Sequence, residues 1–424
     1  MLPLIGRIWI GLATAACLAL SGCSAGATRL ATPAPPATAI PLSPTAALTV
    51  TASFPPLATL TAVPPVAAPT RTPSLTPSPA PTLPPTEPVS RGPYLQSAAP
   101  GSIWVVWDTA RPSAGWVKYG PAPALEQVAL ETQSGLHHAV QLTGLQPYIQ
   151  VAYQPGGDPD PHTFRSPPAP GQTAFRFAVL GDTRSNTQVH SAIVAGIAAA
   201  RPDLVLHTGD LVDDGSNAGE WDSFLKIEAP LMQIAPLYPT LGNHEGGAPA
   251  YFQIFRLPGY GQWYSFDYAD ARFIILKADA YRPADFAPGA EQRVWLEAQL
   301  ASAAGHWIFV SFHVPLHTSF AEDPSEVNLR KALAPLFEKN KVTAVFNGHI
   351  HSYERVLENG VTYIVTGGGG APLYSLGVRE PGQQAAALLY HFVLLDIIGN
   401  RLTGQAIDKD GKVIDSFEIT ATRP

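Results

Sequence analysis

FRFAVLGDTR, residues 175–184, decides the fold: Phe175–Leu180 is an apolar β-type run that stops at Gly181-Asp182. Four further stretches repeat the form. Leu204–Thr208 runs into Gly209-Asp210, Tyr238–Leu241 into Gly242-Asn243-His244-Glu245, Ile308–Phe312 into His313, and Val342–Asn347 into Gly348-His349-Ile350-His351. In an open α/β sheet, ligands gather outside the carboxyl ends of the strands, so five polar endings can converge on one point. Carboxylate, amide and imidazole donors arriving together suit borderline or hard metal ions, and a pair of such ions points to hydrolysis.

Working outward, strands alternate with helical stretches from residue 171 onward. Thr187–Ala200 reads as a helix, with Asn186 or Ser185 as N-cap and Pro202 just past its end. Gly289–Ala303 and Ser325–Asn340 are amphipathic in the same way. Trp263–Tyr268 with Arg272–Lys277, and Tyr353–Val356 with Val361–Val365, read as antiparallel pairs, the second turning at Asn359-Gly360. Leu388–Ile397, Arg401–Ile407 and Val413–Thr420 are expected as edge strands. Gly367–Gly370 lacks a Walker lysine, which argues against a nucleotide loop; the rim of the pocket is its expected place. Ahead of this region, Ser102–Asp108, Trp116–Tyr119, Ala139–Leu142 and Tyr148–Gln154 are short strands separated by Gly and Pro turns, the pattern of a small β-sandwich.

The order of the five endings resembles the metallophosphoesterase (calcineurin-like) superfamily, and within it the purple acid phosphatase-like branch. Arg91-Gly92-Pro93-Tyr94-Leu95-Gln96 and the stretch from His138 to Pro147 are similar to the fibronectin-like domain that precedes such catalytic domains. The resemblance implies an α/β fold, a four-layer α/β/β/α sandwich over 171–424, preceded by a small all-β fibronectin III-like sandwich over 89–168. It implies two divalent or trivalent metal ions, drawn from Fe, Zn or Mn. Asp182 and His351 would ligate the first, Asn243, His313 and His349 the second, and Asp210 would bridge them about 3.5–4 Å apart. His244 would contact the phosphate and protonate the leaving alkoxide, a role that suits an imidazole. Glu245 either orients His244 or is merely a helix-start carboxylate.

The chain departs from the branch in two places. Where the purple enzymes carry a metal-bound Tyr, this chain has Asp213, which could still bind metal without a tyrosinate colour band. Where relatives have Gly or His, Asp182-Thr183 is followed by Arg184. Arg cannot ligate a metal, but its fork of donors suits a pair of phosphate oxygens. That leaves the first metal short of a ligand; His190, further along the first helix, is either a replacement or an ordinary helix residue. His317 either reaches the substrate phosphate or has no role, and His207 is expected to be buried and hydrogen-bonded.

Residues 1–23 read as a lipoprotein signal: Arg7, the apolar Ile8–Leu20, then Leu20-Ser21-Gly22-Cys23, which resembles a bacterial lipobox. Cys23 would carry the lipid that anchors an exported protein to the membrane, at the cell surface or periplasmic face. With Cys17 removed, no disulfide forms within the mature chain. Residues 24–88 are rich in Pro, Thr and Ala and read as an extended disordered linker. The formal net charge of −7 and the lack of basic runs argue against nucleic acid as a partner. The expected substrate is a phosphate ester, with acid phosphatase-like monoester hydrolysis by a metal-bridging hydroxide as the leading reading. Two others stay open: a phosphodiesterase on the same site, and a surface-tethered binding module with vestigial catalysis.

Overall fold

The computed structural model describes residues 82–259, 261–278, 282–303, 307–320 and 324–421. The expected signal segment, and the linker as far as residue 81, lie outside the described residues.

Five strands come first: β1 (Val89–Ala99), β2 (Ser102–Pro121), β3 (Gln127–Leu142), β4 (Gln150–Pro155) and β5 (His162–Arg165). The first half of β2 pairs antiparallel with β1 and with the end of β3. Its second half pairs with the start of β3 and with β4, which carries β5. A register break between Asp108 and Ser113 separates the two pairings. Ile103, Val105 and Trp107 alternate inward along β2, as a half-buried strand requires.

The second region follows in chain order: β6 (Ala174–Leu180), α1 (Thr187–Ala200), β7 (Leu204–His207), α2 (Ala218–Met232), β8 (Leu237–Pro239) and α3 (Pro249–Ile254). Then come β9 (Tyr264–Tyr268), β10 (Ala271–Ile275), α4 (Glu291–Ser302), β11 (Trp307–Ser311), α5 (Pro324–Lys339) and β12 (Ala344–Asn347). The chain closes with β13 (Tyr353–Glu358), β14 (Val361–Thr366), β15 (Gln383–Ala387), β16 (His391–Ile398), β17 (Arg401–Asp408) and β18 (Val413–Thr420). One sheet runs β15-β13-β14-β12-β11-β10-β9, the other β18-β17-β16-β6-β7-β8.

Period-two burial separates the layers. Phe175, Phe177 and Val179 of β6 meet Phe273 of β10, Phe309 of β11 and Phe346 of β12 between the sheets. The Phe177 ring centroid lies 5.4, 5.0 and 5.9 Å from those three rings. Ala178 and Leu180 point the other way, onto Ile193, Val194 and Ile197 of α1 and Phe224 and Leu225 of α2. Ile274, Val310 and Val345 likewise face Leu296 of α4 and Leu329 and Leu333 of α5. The result is the expected mixed α/β arrangement, with helices outside two facing sheets.

Three expectations change. Neither Leu388–Ile397 nor Arg401–Ile407 is an edge strand, since β16 lies between β17 and β6 and β17 lies between β18 and β16; of the three closing segments β18 alone is at the edge. The first of them is β16. Its HFVLLDII sequence is apolar on both faces, as burial on both faces demands. The second change is α2, a 15-residue helix that the pattern did not announce. Asn217 caps it by accepting from the Gly219 N–H at 3.0 Å, and Pro230 sits inside its last turns. The third is Gly367–Gly370, which is buried rather than on a rim: the Gly369 N–H donates to Gly181 O, and the Ala371 N–H to Asp182 O.

Candidate metal centre

All five polar endings meet. Asp182 follows β6, Asp210 follows β7, Asn243 follows β8, His313 follows β11, and His349 and His351 follow β12. β6, β7 and β8 are parallel in one sheet, and β11 and β12 are parallel in the other. Their carboxyl ends therefore present side chains at one place. Asp182, Asp210 and His313 are buried, with one ligand atom of each within 4.8 Å of the others, forming a candidate metal site.

Four donors form one pole of the site. His313 Nε2 lies 3.0 Å from Asn243 Oδ1 and 3.3 Å from Asp210 Oδ1. His349 Nδ1 lies 3.1 Å from Asn243 Oδ1 and 3.3 Å from His313 Nε2. Donors around an ion bound at roughly 2.0–2.1 Å are separated by about 3–3.4 Å, so this set fits a cation. The His313 Nδ1–H donates to Thr208 O at 2.8 Å, which leaves Nε2 as a lone-pair donor. Burial alone would lower the His313 pKa, but the Asp210 and Asp182 carboxylates outweigh it and raise it to about 10. Burial, then the neighbouring His313, lowers His349 to about 4. For Asp210, burial is outweighed by His313 and by the His244 N–H, and the carboxyl ends below its ordinary range.

The second pole gathers Asp182, Asp210, His351 and Arg184. His351 Nε2 is 3.4 Å from Asp182 Oδ1, while its Nδ1–H donates to Pro372 O at 2.6 Å. Both Asp182 oxygens accept from the His349 N–H, at 3.0 and 3.1 Å. Arg184 donates from Nε to Asp210 Oδ2 at 3.4 Å and from Nη1 to Asp213 Oδ1 at 2.9 Å, and its Nη2 lies 3.5 Å from His351 Nε2.

The backbone is bent to make this possible. Asp182, Asp210 and His349 have φ of 56°, 55° and 67°, in the left-handed region. For a residue other than glycine that costs on the order of 1–3 kcal/mol, a burden typical of functional loops. Two glycines let strands touch: a Cβ at Gly242 would stand 2.2 Å from Asp210 Oδ1, and one at Gly348 2.4 Å from Asp182 Oδ2.

The remaining expected residues divide. His244 sits at the mouth, its side chain 29% exposed; its Nδ1–H donates to Asp213 O at 2.6 Å, leaving Nε2 3.8 Å from Asp210 Oδ2. Glu245 does not orient it. The Glu245 carboxylate accepts instead from four backbone N–H groups: Leu211 and Val212 at Oε1, Asp210 and Gly242 at Oε2. It is a positioning residue that ties the loop after β7 to the loop after β8. Burial, then the Asp210 charge, pushes it up to about 7, against the pull of those donors. His190 is not in the cluster either; its Nε2 lies 2.8 Å from Glu228 Oε1, in a buried pair between α1 and α2. Asp213 is engaged by Arg184 and by the Ser185 hydroxyl. His317 pairs with Glu380 at 2.7 Å, and His207 is buried against Thr183 Oγ1 at 3.0 Å. One residue had no signal in the sequence: Tyr374 stacks on His351 with centroids 4.1 Å apart, from a loop that only the fold brings there.

Residues 175–353 match the calcineurin-like phosphoesterase family. Purple acid phosphatase 22 of Arabidopsis thaliana is 29% identical over 242 residues, covering 53% of this chain and 54% of that protein. Acid phosphatase type 7 of Mus musculus is 28% identical over 390 residues, covering 77% of this chain and 89% of that one. The solved structure of purple acid phosphatase PPD1 from yellow lupin (Lupinus luteus) superposes with a TM-score of 0.68 at 22% identity, over 78% of this chain and 75% of that one, a likeness of fold. The chain thus spans about half the length of the first of these relatives.

Proposed function

We propose that the calcineurin-like metallophosphoesterase domain of this chain hydrolyses phosphate monoesters in a metal-dependent reaction. The observation that carries the reading is the pole of Asp210, Asn243, His313 and His349, whose neighbouring donor atoms lie 3.0–3.3 Å apart. A metal ion bound there would supply a deprotonated water at neutral pH and offset the charge of the phosphoryl oxygens. The chain does the rest. Asp210 and Asn243 would hold the ion through their oxygens and His313 and His349 through their nitrogens, while Glu245 fixes the two loops that aim the first pair. His244, held through its Nδ1–H by Asp213 O, faces inward with Nε2; as the imidazolium, with both nitrogens protonated, it can pass the Nε2 proton to the leaving oxygen and return to the neutral ring. Arg184 has N–H groups left over on Nη1 and Nη2 after its contacts with Asp210, Asp213 and His351 and offers them to phosphate oxygens. A dianionic monoester terminus gives that guanidinium more to bind than a diester does.

Two finer readings accompany this one. The two ladders of β2, one with β1 and β3 and the other with β3, β4 and β5, support a fibronectin-like sandwich for residues 89–168. Export and anchoring through a lipid on Cys23 rest on Leu20-Ser21-Gly22-Cys23. The catalytic proposal is tested with Asn243→Ala and His349→Ala. Each is expected to lose most hydrolysis of an aryl phosphate while keeping its circular dichroism spectrum; full activity in both would remove the metal assignment.

A further inference from the structure

We infer that Arg184 takes the place of a second metal ion: its guanidinium is a built-in cation at the Asp182–His351 pole, and the centre binds a single ion, at Asp210, Asn243, His313 and His349. The inference rests on the metal-dependent reading above and sharpens it.

The contacts carry the argument. Three side chains around that pole each face a different guanidinium nitrogen. Asp210 Oδ2 faces Nε at 3.4 Å, Asp213 Oδ1 faces Nη1 at 2.9 Å, and His351 Nε2 faces Nη2 at 3.5 Å. The fourth group, Asp182, has both oxygens engaged by the His349 N–H and lies 3.4 Å from His351 Nε2. Because the His351 Nδ1–H donates to Pro372 O, Nε2 is an acceptor, and an Arg N–H satisfies it as an ion would.

Arg184 is held in place rather than loosely folded in. Its side chain is 13% exposed. Asp213 grips it from outside, and the Ser185 hydroxyl fixes Asp213 through both oxygens at 2.8 and 3.1 Å. Tyr374, stacked on His351, closes another side. A guanidinium has no lone pair to give a metal and does not lose its proton in proteins. An ion entering this pole would have to expel it or sit beside a like charge in a buried, weakly screened place. The other pole has no such competitor: its four donors face one another at 3.0–3.3 Å.

The test is metal stoichiometry, read independently of turnover. Chelated full-length protein is incubated with Mn2+, freed of loose ions by gel filtration, and examined by elemental analysis and low-temperature electron paramagnetic resonance. The wild type is expected to retain a single equivalent with the spectrum of an isolated ion. Arg184→Gly is expected to gain a second equivalent with a spin-coupled spectrum. Two coupled ions in the wild type would overturn the inference and leave the hydrolase reading standing. A folded Arg184→Gly that stays at a single equivalent would overturn it too. Should that variant not fold, the wild-type stoichiometry alone decides. A wild type that retains no ion yet hydrolyses phosphate esters sinks both.

Discussion

Gly242 has room for no side chain, and Gly242→Ala gives a sharp test of how the centre is built. A Cβ there would lie 2.2 Å from Asp210 Oδ1 and 2.4 Å from the Asp210 backbone N. Ordinary carbon contacts begin about 3.4 Å away, so Asp210 and its loop must yield by roughly 1 Å. One of the two near atoms is backbone, which cannot swing aside as the end of a long side chain can. Asp210 sits 3.3 Å from His313 Nε2, so the shift breaks a ligand edge of the metal pole. It also strains the four N–H contacts that Glu245 makes to both loops. Overpacking of this kind costs about 1–3 kcal/mol of stability. A misplacement near 1 Å at a reacting centre costs on the order of 100-fold in rate. The assay compares kcat, metal content and Tm of Gly242→Ala with those of Gly219→Ala, whose new Cβ meets only Asn217 Oδ1 at an ordinary 3.4 Å. The control should match the wild type. If Gly242→Ala also keeps wild-type kcat and metal content, the tight seating of Asp210 described above is wrong.

Other expectations lie away from the centre. His391 is fully buried, with its Nδ1–H on Leu389 O at 2.9 Å and no partner on Nε2 among the described residues, and burial pulls its pKa to about 4. Between its ordinary value near 6.5 and about 4, the unfolded chain takes up a proton that the folded chain refuses, so stability falls as pH falls. The loss at pH 5 is about 2 kcal/mol relative to pH 7, and denaturant melts of His391→Gln should lack that component. His190→Ala leaves the buried Glu228 Oε1 without its hydrogen-bond partner and should cost about 1–3 kcal/mol in urea melts, with metal content per folded chain unchanged. A fall in metal content would return His190 to the centre.

Much of the site could be read from the chain because its residues lie at strand ends. An apolar run that stops at Gly-Asp or Gly-His marks both the β6 or β12 strand and the donor that follows it. The hairpin turn at Asn359-Gly360 was equally plain, and both residues have the positive φ that such a turn needs. What escaped depends on three-dimensional neighbours. The reach of Glu245 to four backbone donors cannot be inferred from its place after His244, since those donors come from two loops. His190 has the chemistry of a ligand, but its partner Glu228 lies 38 residues away on a helix that the sequence pattern hid. Pro230 weakened the helical signal of α2, because a proline inside a helix leaves the carbonyl four residues before it without its helical donor. β16 looked like an edge strand from its position late in the chain, whereas its sequence, apolar on both faces, is that of a central strand.

The central claim is that the five strand endings form a metal-dependent phosphomonoesterase centre. It is tested most directly by stripping the protein with chelator, restoring metal stepwise, and following hydrolysis of 4-nitrophenyl phosphate and bis(4-nitrophenyl) phosphate alongside bound metal. The account predicts that monoester hydrolysis is lost on stripping, returns in proportion to bound metal, and exceeds diester hydrolysis. Activity that survives complete stripping, or that returns only toward the diester, would contradict it.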